Sequence, residues 1–190
     1  MKITKTQSLA NRAHIVETAS QLFRERGYDG VGVAELMATA GFTQGGFYKH
    51  FGSKADLMAA AAALSLERSA AGVCTIGLEE FVNRYVSRAH RDGRDTGCTV
   101  AALGGDAARQ SDEVKATFAS GIEKTLAAFE EKYRAGTGAT PEQARAKVVN
   151  LFTHAVGAVM LSRACPDDSP LADEILQACR AELLAALAGD

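Results

Sequence analysis

No proline occurs in the first 140 residues; the three in the chain stand at 141, 166 and 170. Proline is the residue that most strongly forbids a helix interior. The proline-free stretch is rich in Ala, Leu, Glu, Lys, Arg and Gln, which lose least on entering a helix. No run of alternating β-branched residues competes, and no internal repeat is visible. With 190 residues, 47% of them hydrophobic, the chain can bury a core of one large or two small domains. The expected fold class is all-α, with about nine helices.

Periodicity and punctuation place them. Ile15, Val16, Ala19, Leu22 and Phe23 form one apolar stripe, predicting a helix over 8–26 that Gly27 stops. A short helix over 33–40 buries Val33, Leu36 and Met37 and ends at Gly41. A third, over 44–50, has Thr43 as N-cap, with Phe42 and Phe47 spaced as a hydrophobic staple. A fourth begins after Ser53, which forms an acidic capping box with Asp56, and continues through the alanine run to about residue 69 or beyond. Further helices are expected over 78–92, 98–109, 112–135 (stopped by Gly136), 141–165 and 170–187. Thr140 caps the 141–165 helix and Pro141 takes its N1 position. Segments 72–77 and 93–97 read as loops. The domain boundary is expected within or just after the fourth helix, giving an N-terminal domain over 1–56 and a second over 57–190.

The net charge of −2 says nothing about nucleic acid, but its distribution does. Residues 1–56 carry a net +2 and residues 57–190 a net −4, the sign expected of a DNA-binding head on an acidic body. Cys74, Cys98, Cys165 and Cys179 are widely spaced with no C-x-x-C pair, so neither a disulfide framework nor a metal site is expected. The opening residues lack the apolar core of a signal peptide, and no apolar run approaches the roughly 20 residues of a membrane span. A cytoplasmic protein without a membrane partner is the simplest expectation.

Three short helices within 50 residues, with a glycine-containing turn between the second and third, have the outline of a helix-turn-helix. The third contains Gly45 and Gly46, although each glycine inside a helix costs about 1 kcal/mol relative to Ala. Two readings stand: small residues let this helix sit deep in a major groove, or a distorted turn packs closely on its neighbour. Lys54 is sharper. A cation at the first position of a helix opposes the macrodipole, but it fits an anion shared with the free helix N–H groups, as a phosphate would be. Tyr48, Lys49 and His50 precede it and supply further phosphate donors.

These segments together resemble the TetR family of transcriptional regulators. The resemblance rests on Ile15–Val16–Glu17–Thr18–Ala19 through Phe23 and Gly27–Tyr28, then Val33–Ala34–Glu35–Leu36, then the run from Ala40–Gly41–Phe42–Thr43 to Lys54–Ala55–Asp56–Leu57. It implies a DNA-binding homodimer, most often a repressor, switched by a small molecule of unknown identity bound in an α-helical body. It also implies that Thr43, Gln44, Gly46, Tyr48, His50 and Lys54 contact DNA. Two positions depart from the pattern: Gly32 and Gly46 stand where Thr or Ser is usual.

The resemblance places the dimer interface on the last two helices. The sequence agrees: apolar residues cover nearly the whole circumference of the 141–165 helix and form a broad stripe on the last one. Phe152, Val156, Val159, Met160, Ile175, Cys179 and Leu183 are the expected interface residues. For the effector site, inside helices four to eight by the same resemblance, Phe81, Tyr85, Phe118, Phe129 and Tyr133 are candidate walls. Gly97–Cys98 followed by Leu103 resembles a glycine-cysteine start seen in a subset of these regulators. A thiol opening a helix meets free N–H groups that favour a thiolate, which suits sensing of oxidants or electrophiles.

No G-x-S-x-G, phosphate loop or metal-ligand cluster is present, so no catalytic residue and no cofactor are expected. The competing reading is a helical adaptor of the same fold that has lost DNA binding.

Overall fold

The computed structural model describes residues 4–189. Lys2, one of the basic residues of the head, lies outside the described residues. The elements are α1 (Lys5–Arg26), α2 (Val33–Thr39), a 3-10 helix (Gln44–Lys49), α3 (Lys54–Thr75), α4 (Leu78–Tyr85), α5 (Arg88–Asp92), α6 (Thr99–Ala107), α7 (Asp112–Thr137), α8 (Pro141–Ala164) and α9 (Pro170–Ala188). Among the described residues there is no strand. The fold is all-α, with an N-terminal helix-turn-helix head and a C-terminal helical body.

Two apolar clusters hold it together. The first joins Phe23, Leu36, Met37 and Phe47 of the head to Leu57 of α3, Leu103 of α6 and Phe118 of α7. The head's core is therefore completed by the body. The second lies in the body and includes Phe81, Val82, Phe129, Val148, Phe152 and Leu176. The boundary expected at residue 56 falls three residues into α3, which runs unbroken from one cluster toward the other. By length and composition α3 is apolar enough to cross a membrane, contrary to the expectation that no run comes near. In this fold it is a core helix, burying Leu57, Met58, Ala61 and Leu66 and packing on α1 and α7.

Several elements differ from the sequence expectation for local reasons. The third helix is 3-10, and Thr43 makes no side-chain cap bond. Phe42, expected in a staple with Phe47, instead faces the His14 ring at 6.2 Å. Ser53 accepts from Asp56 N–H as expected, but the Asp56 carboxylate reaches back to Gly52 N–H (2.9 Å). Residues 72–75, expected as loop, complete α3. The helix expected over 78–92 breaks at Val86, where the buried side chain is held in the core while Ser87 caps a new helix through His90 N–H. α7 overruns Gly136 and stops at Gly138, whose φ of +71° supplies the left-handed cap. α8 starts as expected, with a full Thr140/Gln143 capping box ahead of Pro141.

Arg91 on α5 is 2% exposed. Its guanidinium donates to Asp92, to Asp167 (2.8 Å) and to the carbonyls of Ser162 and Cys165. A buried arginine so fully bonded pins α5, and the loop that follows it, against the α8–α9 turn.

Candidate functional site

The 3-10 helix is held by its buried side. Phe47, 1% exposed, packs its ring 5.5 Å from that of Phe51. Gly41 opens the preceding turn with φ +78°. With Phe47 inward, Thr43, Gln44, Gly45, Tyr48 and Lys49 are turned outward, and Gly46 and His50 are half-buried. Tyr48 is 75% exposed, an unusual state for a tyrosine without a partner surface. A Cβ built on Gly45 would meet nothing within 4 Å, and one on Gly46 would make only ordinary contacts. The reading in which these glycines allow tight packing on a neighbouring helix is therefore wrong; they keep the outer surface flat.

Lys54 sits apart from this face. Its ammonium donates to the Tyr28 carbonyl at 2.6 Å and lies 6.0 Å from the Phe23 ring centre. One of its three N–H groups thus ties the start of α3 to the loop after α1. Arg12, which sequence reasoning passed over, stacks its guanidinium 4.8 Å from the centre of the Phe51 ring, where a cation–π contact holds it. It adds a cation at the exposed surface of the head; only the three-dimensional proximity of α1 reveals it.

The body holds a partly open cavity of about 330 Å³, at the small end of the range for ligand pockets. Its walls come from α3 (Leu66, Val73), α4 (Phe81, Tyr85), the α5–α6 loop with Cys98, and α8 (Phe152). Three of the six expected effector residues, Phe81, Tyr85 and Cys98, gather here. The other three do not. Phe118 belongs to the core shared with the head, because its side of α7 faces α3. Phe129 is fully buried between Phe81 and Phe152. Tyr133 lies at the far end of α7, beside shallow grooves near Thr137. Phe152, assigned from sequence to a dimer interface, is instead a wall of this cavity.

Two other expected interface residues are also internal: Val159 and Leu183 are buried in the chain's own core, where α8 and α9 pack on each other. Val156, Ile175 and Cys179 are half-buried, and Met160 is exposed.

His90 organises the cavity mouth. Its Nε2 accepts from Cys98 N–H (3.0 Å), and its Nδ1 lies 2.7 Å from the Tyr85 carbonyl. A carbonyl only accepts and an amide N–H only donates, so His90 is neutral with its proton on Nδ1. Burial lowers its pKa, although the Tyr85 carbonyl bond opposes this. A Cβ on Gly97 would sit 2.8 Å from the Gly93 carbonyl and 3.1 Å from His90 Nε2, so glycine is needed for the loop to pass this close. Burial raises the Tyr85 phenol pKa well above its ordinary value, and the neighbouring Cys98 thiol raises it further. Cys98 itself is the N-cap residue of α6 and half-buried.

Both ends of the segment carrying Cys98 are fastened to the head. Arg24 of α1 donates to the Asp95 carbonyl in the α5–α6 loop (2.7 Å from Nε). Asp106, near the end of α6, accepts from Tyr28 N–H at 3.0 Å, against Gly27, where no side chain fits.

Comparison with known proteins agrees with this architecture. Residues 15–61 match the family model described as bacterial regulatory proteins, tetR family. The chain is 49% identical over 43 residues to the HTH-type transcriptional repressor DhaR of Mycobacterium sp. (strain GP1), covering 23% of this chain and 22% of that one. It is 32% identical over 89 residues to the HTH-type transcriptional repressor AcnR of Corynebacterium diphtheriae, 47% of each. These matches thus span less than half the length of the relatives. Over the whole chain, the reduced form of NemR from E. coli superposes with a TM-score of 0.75 at 19% identity, covering 92% of this chain and 95% of that one. A TetR transcriptional regulator from Legionella pneumophila gives a TM-score of 0.75 at 15% identity, covering 98% and 99%. The fold is shared along its length with these structures, and residues 15–61 are similar to the tetR family of bacterial regulatory proteins.

Proposed function

We propose that this chain is a dimeric, DNA-binding transcriptional repressor released from its operator when the body cavity is occupied or when Cys98 is modified. The carrying observation is the outward face of the 3-10 helix. Thr43, Gln44 and Gly45 form a flat leading edge, flanked by Tyr48, Lys49, His50 and Arg12, on a helix anchored from behind by Phe47. Such an edge is shaped for a major groove: Thr43 and Gln44 read base edges, while Tyr48, Lys49 and His50 hold phosphates. Lys54 has two N–H groups left for a phosphate after bonding Tyr28. The names of the relatives as repressors support the reading, and so does a structural neighbour described as a reduced form, since Cys98 lines the cavity here.

The test is binding to palindromic duplexes across salt concentrations. Lys49→Ala and Lys54→Ala should weaken binding to all duplexes nearly alike and reduce the salt slope by about one per half-site. Gln44→Ala should lose affinity in a manner that depends on the base pair offered. A wild-type protein that binds no duplex at low salt would leave the adaptor reading standing.

A further inference from the structure

The cavity lining restricts what it can hold. Among the described residues, four buried side chains leave a polar atom without a hydrogen-bond partner, and Tyr85 is the one of these that lines the cavity. Tyr85 is 8% exposed, and its hydroxyl stands beside Cys98 without a hydrogen bond of ordinary geometry. An orphaned buried hydroxyl is rare in folded proteins and points to a missing partner. Of the other hydroxyls of the wall, Thr75 donates to the Gly72 carbonyl (2.7 Å) and Thr125 to that of Gly121 (3.0 Å), while Ser69 is half-buried and Thr96 exposed at its edge, where water can reach them.

Charge is excluded from the interior by the same inventory. No acidic residue lines the cavity. His90 is held neutral with both nitrogens in use. Arg84, the only cation of the lining, is exposed and paired with Glu80. A carboxylate brought inside would lose its hydration with no unpaired cation in the lining to meet it, since Arg163 stands behind the wall and donates to the carbonyls of Arg91 and His90. An ammonium would meet no carboxylate and the repulsion of Arg163. What remains is a mainly apolar space whose one fully buried unspent hydroxyl is that of Tyr85, with only the Cys98 thiol, a weak partner, beside it.

We propose that the cavity binds a compact, uncharged, mainly apolar carbonyl compound whose oxygen accepts a hydrogen bond from the Tyr85 hydroxyl. The volume of about 330 Å³ keeps the ligand small, of one ring with a short substituent. The aromatic walls Phe81 and Phe152 cover its faces. The class deepens the reading of this cavity as the effector site and rests on it for biological meaning, but not for its measurement.

The experiment is calorimetric titration of the free protein, without DNA, with three molecules of nearly the same shape: acetophenone, isopropylbenzene and benzoate. Acetophenone does not react with thiols, so Cys98 chemistry does not enter. Wild type should bind acetophenone about tenfold more tightly than Tyr85→Phe does, the worth of one buried hydrogen bond. Tyr85→Phe should bind isopropylbenzene as wild type does, because that ligand never used the hydroxyl, and benzoate should bind neither protein. The ligand-free variant should melt no lower than wild type, because it removes a hydroxyl that has no partner. As a second readout, the carbonyl-13C resonance of labelled acetophenone should move downfield on binding wild type. Equal acetophenone affinity in both proteins, an unshifted carbonyl, benzoate binding as tight as acetophenone, or no binding of any of the three overturns the proposal. Duplex binding is measured separately: loss of one reading leaves the other intact, so the two failures are distinguishable.

Discussion

Gly45 faces open space on the leading edge of the 3-10 helix, and this separates its contribution to stability from its contribution to binding. Gly45→Ala introduces a methyl that meets nothing in the chain and reduces the freedom of the unfolded state. It should stabilise the protein by about 0.4–1 kcal/mol. If the edge approaches a base pair or phosphate, the same methyl should weaken duplex binding while the melting temperature rises. Unchanged binding would move the contact surface away from Gly45. His90 gives a second single-residue test. Its pKa is lowered in the folded chain from an ordinary 6.5, through burial first, with Arg163 also disfavouring the charged form. As the pH falls below 6.5 the unfolded chain takes up a proton that the folded chain resists, so stability is lost toward acid. Protonation would also abolish the acceptor for Cys98 N–H. Melting of wild type at pH 7.5 and 5.5 should show a larger acid loss than His90→Gln, whose amide accepts and donates without titrating. An equal loss in both proteins would assign the acid sensitivity to other groups. Neither role was legible in sequence, where His90 is an isolated histidine; its partners lie at Tyr85 and Cys98, joined to it only by the break at Val86.

At the scale of elements, the segment from Asp95 to Asp106 behaves as a strut between cavity and head. Arg24 grips one end through the Asp95 carbonyl, and Asp106 grips Tyr28 N–H at the other. Between them lie Cys98 and the first turns of α6. On the proposed function, a ligand or adduct that displaced Cys98 would pull on the C-terminus of α1, which shares its core with the 3-10 helix. Asp106→Ala leaves Tyr28 N–H without this acceptor and should cost about 1–2 kcal/mol, roughly 2–4 °C in Tm per kcal/mol for a chain of this size. It should still bind operator but respond less. An electrophile that releases wild type should leave Cys98→Ser bound, and should leave Asp106→Ala bound although Cys98 is labelled. Release of all three alike would remove this strut from the switch. Sequence periodicity located nearly every helix here, because apolar stripes recur along them and Thr140, Ser53, Pro141, Pro170 or a glycine punctuates many of their ends. It failed at residues 78–92, whose pattern is continuously helical, since the break there is imposed by burial of Val86 and by Ser87 capping. The cavity was half visible: Phe81 and Tyr85 are one turn apart, so a face could be read, but Leu66, Val73 and Phe152 join it only through the packing of α3 and α8.

The whole molecule is expected to be a pair, and the structure changes how that should be tested. Phe152 looked like an interface residue because α8 is apolar nearly all round, and Leu183 because α9 carries a broad apolar stripe, but both are buried in the chain's own core. Phe152→Glu or Leu183→Glu would bury a charge inside the monomer and unfold it, which says nothing about association. What is left outside is Leu161 (61% exposed), Leu171 (52%) and Met160 (40%) on α8 and α9. Gly157 lies one turn before Leu161 on α8, and a Cβ there would meet nothing within 4 Å in the single chain. A bare glycine beside exposed leucine and methionine is a surface that another helix can approach closely, and such a patch is costly to leave in water. Light scattering at micromolar concentration should give about twice the 20.0 kDa chain mass. Leu161→Glu should keep the helical content and melting cooperativity of the fold yet run as a monomer. Two heads in a dimer must match half-sites roughly 34–36 Å apart or a multiple of that, so the monomer should lose affinity for a palindrome while binding an isolated half-site as wild type does. A Leu161→Glu protein that remains a dimer with full affinity for the palindrome would place the interface elsewhere. A wild type that stays monomeric even on a palindromic duplex would remove the dimer altogether, and with it the idea that the switch works by changing the distance between two heads.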